Sequence, residues 1–377
     1  MTEYDVIIAG GGVAGSVAAK FAAKGGLKVL LVEKYKTPRK KACSGIQFGY
    51  FEKILGEKIP SERLCTNKIN RVRIHLPSGW GMNAPFKIFN FMRDTFDEWL
   101  NQVAVEDGAE FRDECEVIDW DEDGDLINVS ISNEKKEVEK LRTKYLIDAT
   151  GLRPKIRMKL HPEHFGKGSS GAAVNYYLKC TSDLQDNKLY MFYNMEYNNM
   201  MFAWIYKKSD LWVVGTGYDK GVAERGRMFF EFAKEKYNIE GEVVKKEGFS
   251  TNIDFTGENK VWLGEGRILM AGDSAGLVDL HRGVGMDSAA LSGRLVAKAI
   301  LNAEKSNKDV LEIYTKLMKK ITKMTEKNQH RSIYRFKNNE ELGRYLKFGI
   351  VKMGLGMLVQ NFLNKFRRAE KLTLLPP

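Results

Sequence analysis

The stretch that decides the fold is Asp5-Val6-Ile7-Ile8-Ala9-Gly10-Gly11-Gly12-Val13-Ala14-Gly15, followed by a helix-like run to Ala23 and then by Lys28-Val29-Leu30-Leu31-Val32-Glu33. Asp5 to Ala9 and Lys28 to Val32 read as buried strands, so the order is strand, glycine turn, helix, strand, acid. A βαβ dinucleotide site requires that order. Gly10 permits the tight turn, Gly12 lets backbone approach a pyrophosphate, and Gly15 lets helix and strand pack closely. The pyrophosphate charge would rest on the free N–H groups of the helix N-terminus. Glu33 lies about 20 residues beyond the glycines, where an acid bonds ribose hydroxyls. That acid suits FAD or NAD better than a cofactor with a 2′-phosphate, and the turn by itself does not choose between the two.

Around this unit, 377 residues with 43% hydrophobic content are enough for about two domains with a large core. The chain reaches its first strand by Tyr4, which leaves no room for a signal peptide. No uncharged apolar run approaches the ~18 residues of a membrane span. Cys43, Cys65, Cys115 and Cys180 are scattered without a C-x-x-C pair, so neither a metal site nor a disulfide framework is expected, and a reducing cytoplasm fits. The net charge of +11, densest at Lys34–Lys41 and in the C-terminal region, suits solubility, an anionic membrane surface or an acidic protein partner. Nothing resembles a nucleic-acid-binding module, so no nucleic-acid partner is expected.

Periodicity predicts helix at Tyr50–Leu55 and Asp94–Val105, and strands at Arg71–Leu76 and Pro85–Phe91. A small meander is expected from Cys115–Trp120, Leu126–Ser132 and Glu137–Leu141, with a separate buried strand ending Tyr145-Leu146-Ile147-Asp148-Ala149-Thr150-Gly151. From Ala172 to Phe255 the pattern alternates and is rich in aromatics, which predicts a second, antiparallel sheet with one helix near Arg225–Lys236. Arg267 to Asp273 restores strand-then-glycine, Ser288–Leu301 is an amphipathic helix, and everything beyond Val310 reads as helix.

These motifs together resemble the FAD-dependent oxidoreductases with the p-hydroxybenzoate-hydroxylase fold, and within them the geranylgeranyl reductase family. The carriers are the N-terminal turn, Arg93-Asp94-Thr95-Phe96-Asp97-Glu98-Trp99-Leu100 (similar to R-x-x-F-D-x-x-L), Asp148-Ala149-Thr150-Gly151, and Gly272-Asp273-Ser274-Ala275-Gly276 with Gly283-Val284-Gly285-Met286. The likeness covers roughly residues 1–300. It implies an α/β, Rossmann-like FAD-binding domain (1–70, 93–171 and 262–300), a mostly antiparallel β-sheet substrate domain (71–92 and 172–261) and a helical C-terminal region (301–377). It also implies that Gly10, Gly12, Ala14, Gly15, Glu33, Lys34, Cys43, Ser44, Arg93, Val117, Thr150, Gly151, Gly272, Asp273, Gly283, Gly285 and Met286 hold the cofactor. Arg93 would bond the phosphate and ribitol region, Asp273 would hold the ribitol, and the helix opened by the later glycines would stabilise negative charge on the reduced ring. Arg282 would balance that charge.

For the reductase branch, Cys43-Ser44-Gly45 matches a cysteine-glycine loop near the flavin, and Phe202-Ala203-Trp204-Ile205-Tyr206 resembles the Y-x-W-x-F-P substrate motif. Phe202 replaces the tyrosine, Lys207 replaces the proline, and Asp279-Leu280-His281-Arg282 replaces a proline-containing run. The expected activity is saturation of C=C bonds in a polyprenyl lipid or similar apolar substrate. An unconjugated alkene has no carbonyl to hold a carbanion, so protonation must accompany hydride from flavin N5. Phe202, Trp204 and Tyr206 would line the substrate site and stabilise cationic character, and Cys43, Tyr206 and His281 are the candidate proton donors. The alternative is an FAD-dependent monooxygenase of the aromatic-hydroxylase type. The halogenase motif W-x-W-x-I-P does not occur.

Only one dinucleotide fingerprint is found, so electrons would come from transient NAD(P)H or from a reduced ferredoxin-like carrier. The tail from Leu346 to Phe366 mixes large apolar residues with Lys347, Lys352 and Lys365, and Arg367 and Arg368 follow it. Such a helix would either lie on an anionic membrane or pack on the catalytic domain.

Overall fold

The computed structural model describes residues 3–65, 67–165, 172–199, 202–218, 220–250, 261–279, 282–329 and 336–375. Two eight-stranded sheets organise them. The first holds β1 (Glu3–Ala9), β2 (Val29–Val32), β6 (Glu110–Arg112), β7 (Glu116–Asp123), β8 (Leu126–Ser132), β9 (Val138–Asp148), β15 (Gly264–Glu265) and β16 (Ile268–Met270). The second holds β3 (Ile46–Phe48), β4 (Ile69–His75), β5 (Gly81–Asn90), β10 (Ala172–Thr181), β11 (Lys188–Phe192), β12 (Ala203–Lys208), β13 (Leu211–Tyr218) and β14 (Glu240–Ser250). The helices are α1 (Val13–Lys24), α2 (Phe51–Leu55), α3 (Ser61–Leu64), α4 (Arg93–Glu106), α5 (Lys155–Leu160), α6 (Val222–Lys236), α7 (Met286–Ser306), α8 (Val310–Gln329) and α9 (Asn339–Asn364).

β1 lies parallel between β2 and β9, with Ile7 opposite Leu30 and Leu146. A strand flanked on both sides and covered on both faces must be apolar throughout, which is why Val6, Ile7 and Ile8 are fully buried. Gly10 leaves the strand at φ +107, and a Cβ there would stand 2.5 Å from the Ala149 carbonyl oxygen. A Cβ on Gly15 would stand 1.9 Å from the Gly10 carbonyl oxygen, and one on Gly293 of α7 would stand 2.2 Å from the carbonyl oxygen of Ala14. Glycine at both positions lets α1 approach the turn and α7 at backbone distance.

The α/β class and the mostly antiparallel second sheet, in which only β11 and β4 among the described strands run parallel, agree with the sequence reading, and three details differ. Glu137–Leu141 and the run from Tyr145 are not separate strands but one eleven-residue β9. Its N-terminal half pairs with β8 and its C-terminal half with β1, because a strand can change partners without breaking its own path. β3, for which no strand is expected and which lies in the 1–70 segment, pairs with β5 and so belongs to the second sheet. The chain beyond Val310 is not helical to its end: after α9 a short 3-10 turn leads into an extended stretch in which Leu372, Leu374 and Leu375 are buried.

Candidate functional site

A cavity of about 470 Å³ is lined by residues of both sheets and their flanking loops. At one end it is walled by Gly10, Gly12, Ala14 and Glu33 from the βαβ unit. Its middle is formed by Thr150, Gly151, Asp273, Gly283, Gly285 and Met286, and by Cys43, Ser44 and Arg93. Phe202, Trp204 and Tyr206 close the far end beside Ala173, Asn175 and Leu189. The structure therefore brings together most of the residues singled out for cofactor and substrate.

Four of the residues assigned to the cofactor do not line it. Gly15 and Gly272 act through packing, since a Cβ on Gly272 would meet the Ala14 Cβ at 2.9 Å. Lys34 points away and pairs with Glu116 at 3.4 Å. Val117, on β7, is buried in the core and pairs with Ile131. His281 lies outside the described residues. Arg282 needs a firmer correction: it does not face the cavity but is 3% exposed in a closed ion network. Its guanidinium donates to Asp279 at 2.9 Å, to Asp287 at 2.7 Å and to the Leu375 carbonyl at 3.1 Å. Flanking aspartates satisfy its charge, so none remains for a ring.

The glycine end is shaped as its sequence requires. Glu33 is buried and accepts the Gly11 N–H at 2.9 Å and the Tyr35 N–H at 3.1 Å, which fixes its carboxylate beneath the turn. Arg39 was missed by motif reading because its loop has no pattern. It pairs with Glu33 at 3.2 Å and with Asp97 at 3.4 Å, and it stands 3.0 Å from where a Gly12 Cβ would be. A cation over the glycine turn is placed to meet a phosphate.

Arg93 is buried and gives two parallel hydrogen bonds to Asp97, at 2.8 and 2.7 Å. Thr150 and Ser274 both donate hydroxyls to Asp148, at 2.6 and 3.0 Å, and the Gly151 N–H donates to Ser274 at 3.0 Å. The two glycine turns are thereby tied into one surface. Burial raises the Asp148 carboxyl above its ordinary value, against these hydrogen bonds. The twenty-one-residue α7 starts at Met286, so its free N–H groups open on the cavity wall.

At the far end, alternation along β12 sends Trp204 and Tyr206 into the cavity and Ala203 and Ile205 into the opposite core. Trp204 donates its indole N–H to Asn175 at 2.9 Å. The Tyr206 hydroxyl is buried without a hydrogen-bond partner among the described residues. Burial first, then the neighbouring Tyr177, Cys43 and Glu247, raise it well above the usual tyrosine value. Burial also pushes the Cys43 thiol up, but Arg93, the Gly45 backbone and Lys208 outweigh it, and the thiol lies below its ordinary value. Lys208 is buried, donates to the Ser44 carbonyl at 2.7 Å, and is lowered to about 8, mainly by burial.

These residues fit a flavin dinucleotide on the structure's own terms. The cavity reaches Gly12, where a side chain would meet Arg39, a carboxylate and an arginine stand at the turn, and a helix N-terminus faces the middle. The FAD binding domain family matches residues 3–329. The chain belongs to that family. It is an FAD-dependent oxidoreductase, and its likeness to geranylgeranyl reductases holds over most of its length. Digeranylgeranylglycerophospholipid reductase 3 of Methanosphaera stadtmanae is 27% identical over 338 residues, 82% of this chain and 81% of the relative. A geranylgeranyl bacteriochlorophyll reductase-like protein from Thermoplasma acidophilum has a similar solved structure, with TM-score 0.76, 21% identity, and coverage of 91% of this chain and 90% of that one. The flavin-dependent halogenase CmlS shares the fold at TM-score 0.70 and 21% identity, over 86% of this chain and 63% of its own.

Proposed function

We propose that the protein saturates C=C bonds of a polyprenyl lipid or similar apolar substrate, with FAD held along the first sheet and the alkene against β12. The observation that carries this reading is the continuity of the cavity from Gly12 and Glu33 to Phe202, Trp204 and Tyr206. Bound FAD would supply the hydride. The chain's own part is to exclude water, hold the alkene against flat aromatic faces that tolerate cationic character, and deliver a proton. Tyr206 and Cys43 are the donors within the described site. Both border the cavity, and the lowered Cys43 thiol is the stronger acid of the pair.

The first sheet would serve as the cofactor-holding unit and the second as the substrate-holding unit, with β3 on the substrate side. We assign the electron source to transient NAD(P)H or to an acidic ferredoxin-like carrier, the latter matching the +11 charge. The unpaired Cys43, Cys65, Cys115 and Cys180 suit a reducing cytoplasm.

A peripheral membrane contact belongs to the same reading. Among the described residues no helix is long and apolar enough to cross a membrane. On α9, however, Leu342, Leu346 and Met357 are buried against the protein, while Val351, Leu355, Val359 and Phe362 are 50–60% exposed along a single stripe continued by Phe366. Lys352, Lys365, Arg367 and Arg368 accompany that stripe. An apolar ridge with cations beside it suits an anionic lipid surface.

The deciding experiment is anaerobic. Enzyme reduced with dithionite should convert a geranylgeranyl lipid to products heavier by two hydrogens per double bond. Turnover only with O2, yielding an oxygenated product, would establish the monooxygenase reading instead.

A further inference from the structure

The far face of the second sheet carries another concavity, distinct from the flavin cavity. Alternation along β11 separates them: Leu189 lines the flavin cavity, whereas Lys188 and Tyr190 line a cleft of about 420 Å³ on the other side. Arg73 and His75 of β4, Asn83 of β5, and Lys236 and Tyr237 at the end of α6 complete it. Register places Arg73 directly opposite Asn83 on the sheet, and Lys188 opposite Arg71, two residues before Arg73 and on the same face of β4.

The chemistry of this lining is one-sided. Arg73, Lys188 and Lys236 bring three cations, no carboxylate lines the cleft, and none of the three is in an ion pair among the described residues. Elsewhere many surface cations have acids: Lys207 holds Asp186 at 2.6 Å and Lys245 holds Glu247 at 2.8 Å. Asp186, the acid that acts on Tyr190, is thus already engaged.

The walls are held in place. His75 stacks on Phe192 with centroids 4.4 Å apart and planes 4° apart, and its Nε2 meets the Tyr237 hydroxyl at 3.1 Å. The Tyr190 hydroxyl accepts the Gln185 N–H at 2.9 Å. Burial, then Arg73 and Lys236, lower His75 to about 4, so at neutral pH it adds hydrogen-bonding capacity without charge. A planar guanidinium beside two ammonium groups and an amide, in a concavity with aromatic sides, is a recognition surface for a compact multivalent anion with several oxygens.

We infer that this cleft is a phosphate-binding site, independent of the flavin cavity, which takes the phosphate group of a soluble phosphate ester or of a lipid headgroup. Its location behind the sheet keeps its ligand away from the substrate end of the flavin cavity, so it would anchor or regulate. The inference does not depend on which double bond the enzyme reduces.

The test uses the FAD-loaded protein and isothermal titration with inorganic phosphate. The wild type should show saturable binding, and the Arg73→Gln/Lys188→Gln double variant should bind about tenfold or more weakly. The flavin spectrum and FAD content should not change, because neither residue touches that cavity. In an NMR titration the His75 imidazole should move up toward its ordinary 6.5 as phosphate binds, since the anion offsets Arg73 and Lys236. Two arms identify the source. Loss of phosphatidic-acid vesicle binding in the double variant assigns the site to a headgroup, and loss of glycerol 3-phosphate binding alone assigns it to a soluble ester. Absence of saturable phosphate binding to the wild type, or equal binding by the double variant, overturns the inference.

Discussion

Tyr206 has its ring in the cavity wall and its hydroxyl buried without a hydrogen-bond partner among the described residues. An unmatched buried hydroxyl costs about 1–3 kcal/mol. Tyr206→Phe should therefore leave the unfolding midpoint unchanged or raise it, while lowering turnover by about 10²–10⁴ if the hydroxyl delivers the proton. Trp204→Phe should do the reverse to stability, losing about 1–3 kcal/mol because the Asn175 oxygen would be left unpaired. Denaturation curves beside single-turnover rates separate the two.

Lys208 gives a pH signature. Its folded value of about 8 lies below the ordinary 10.5, so within that interval the unfolded chain binds a proton that the folded chain does not. Stability should rise with pH across that window and be flat in this respect below it. Lys208→Met should remove that rise in urea titrations run at successive pH values.

Part of the residue scale was legible. Gly10 and Gly12, read for a tight turn and a close backbone approach, and Glu33 and Arg93, read as cofactor ligands, all line the cavity. Arg39 and Asn175 did not, because their roles arise from where a loop and a strand happen to meet.

Between elements, the decisive contact is the one made by the end of the chain. After α9 the backbone returns, the Leu375 N–H donates to the Tyr50 hydroxyl at 3.0 Å, and Tyr50 donates to Asp287 at 2.9 Å. Arg282 closes the ring by donating to the Leu375 carbonyl. The terminal stretch thus braces the loop that carries Gly283 to Met286 against β3 and α2. Arg282→Leu would leave Asp279 and Asp287 as buried charges without their cation, a loss of about 3–5 kcal/mol. Lower FAD retention should accompany it, measured as flavin fluorescence released on dilution. The sequence signalled α7 by periodicity and the two ends of β9 as separate strands, but it could not signal this brace. Leucines after a helix carry no address, and Arg282 beside a flavin loop reads as a ligand until its aspartate partners are seen.

For the whole molecule, charge and apolar surface combine on α9. Replacing Leu355 and Phe362 by glutamate should reduce cosedimentation with anionic liposomes while leaving stability nearly unchanged, since both side chains are exposed. Unchanged cosedimentation would remove the membrane contact from the proposed function. At the cofactor end, Glu33→Gln should weaken FAD retention in the purified protein, read from the ratio of flavin to protein absorbance.

The sequence by itself determined a dinucleotide site and the fold class, and its resemblance to FAD-dependent oxidoreductases named the cofactor. Strand, glycine turn, helix and acid form a local pattern in which each step follows from backbone conformation and helix-end polarity, and the later glycine turns repeat that logic. Tertiary structure alone decided which residues share a cavity, that Arg282 is a brace held by Asp279 and Asp287, that β3 joins the second sheet, and that a cationic cleft lies behind it. Those outcomes depend on contacts between residues far apart in the chain. Such contacts are set by packing and burial of charge, which leave no periodicity to read.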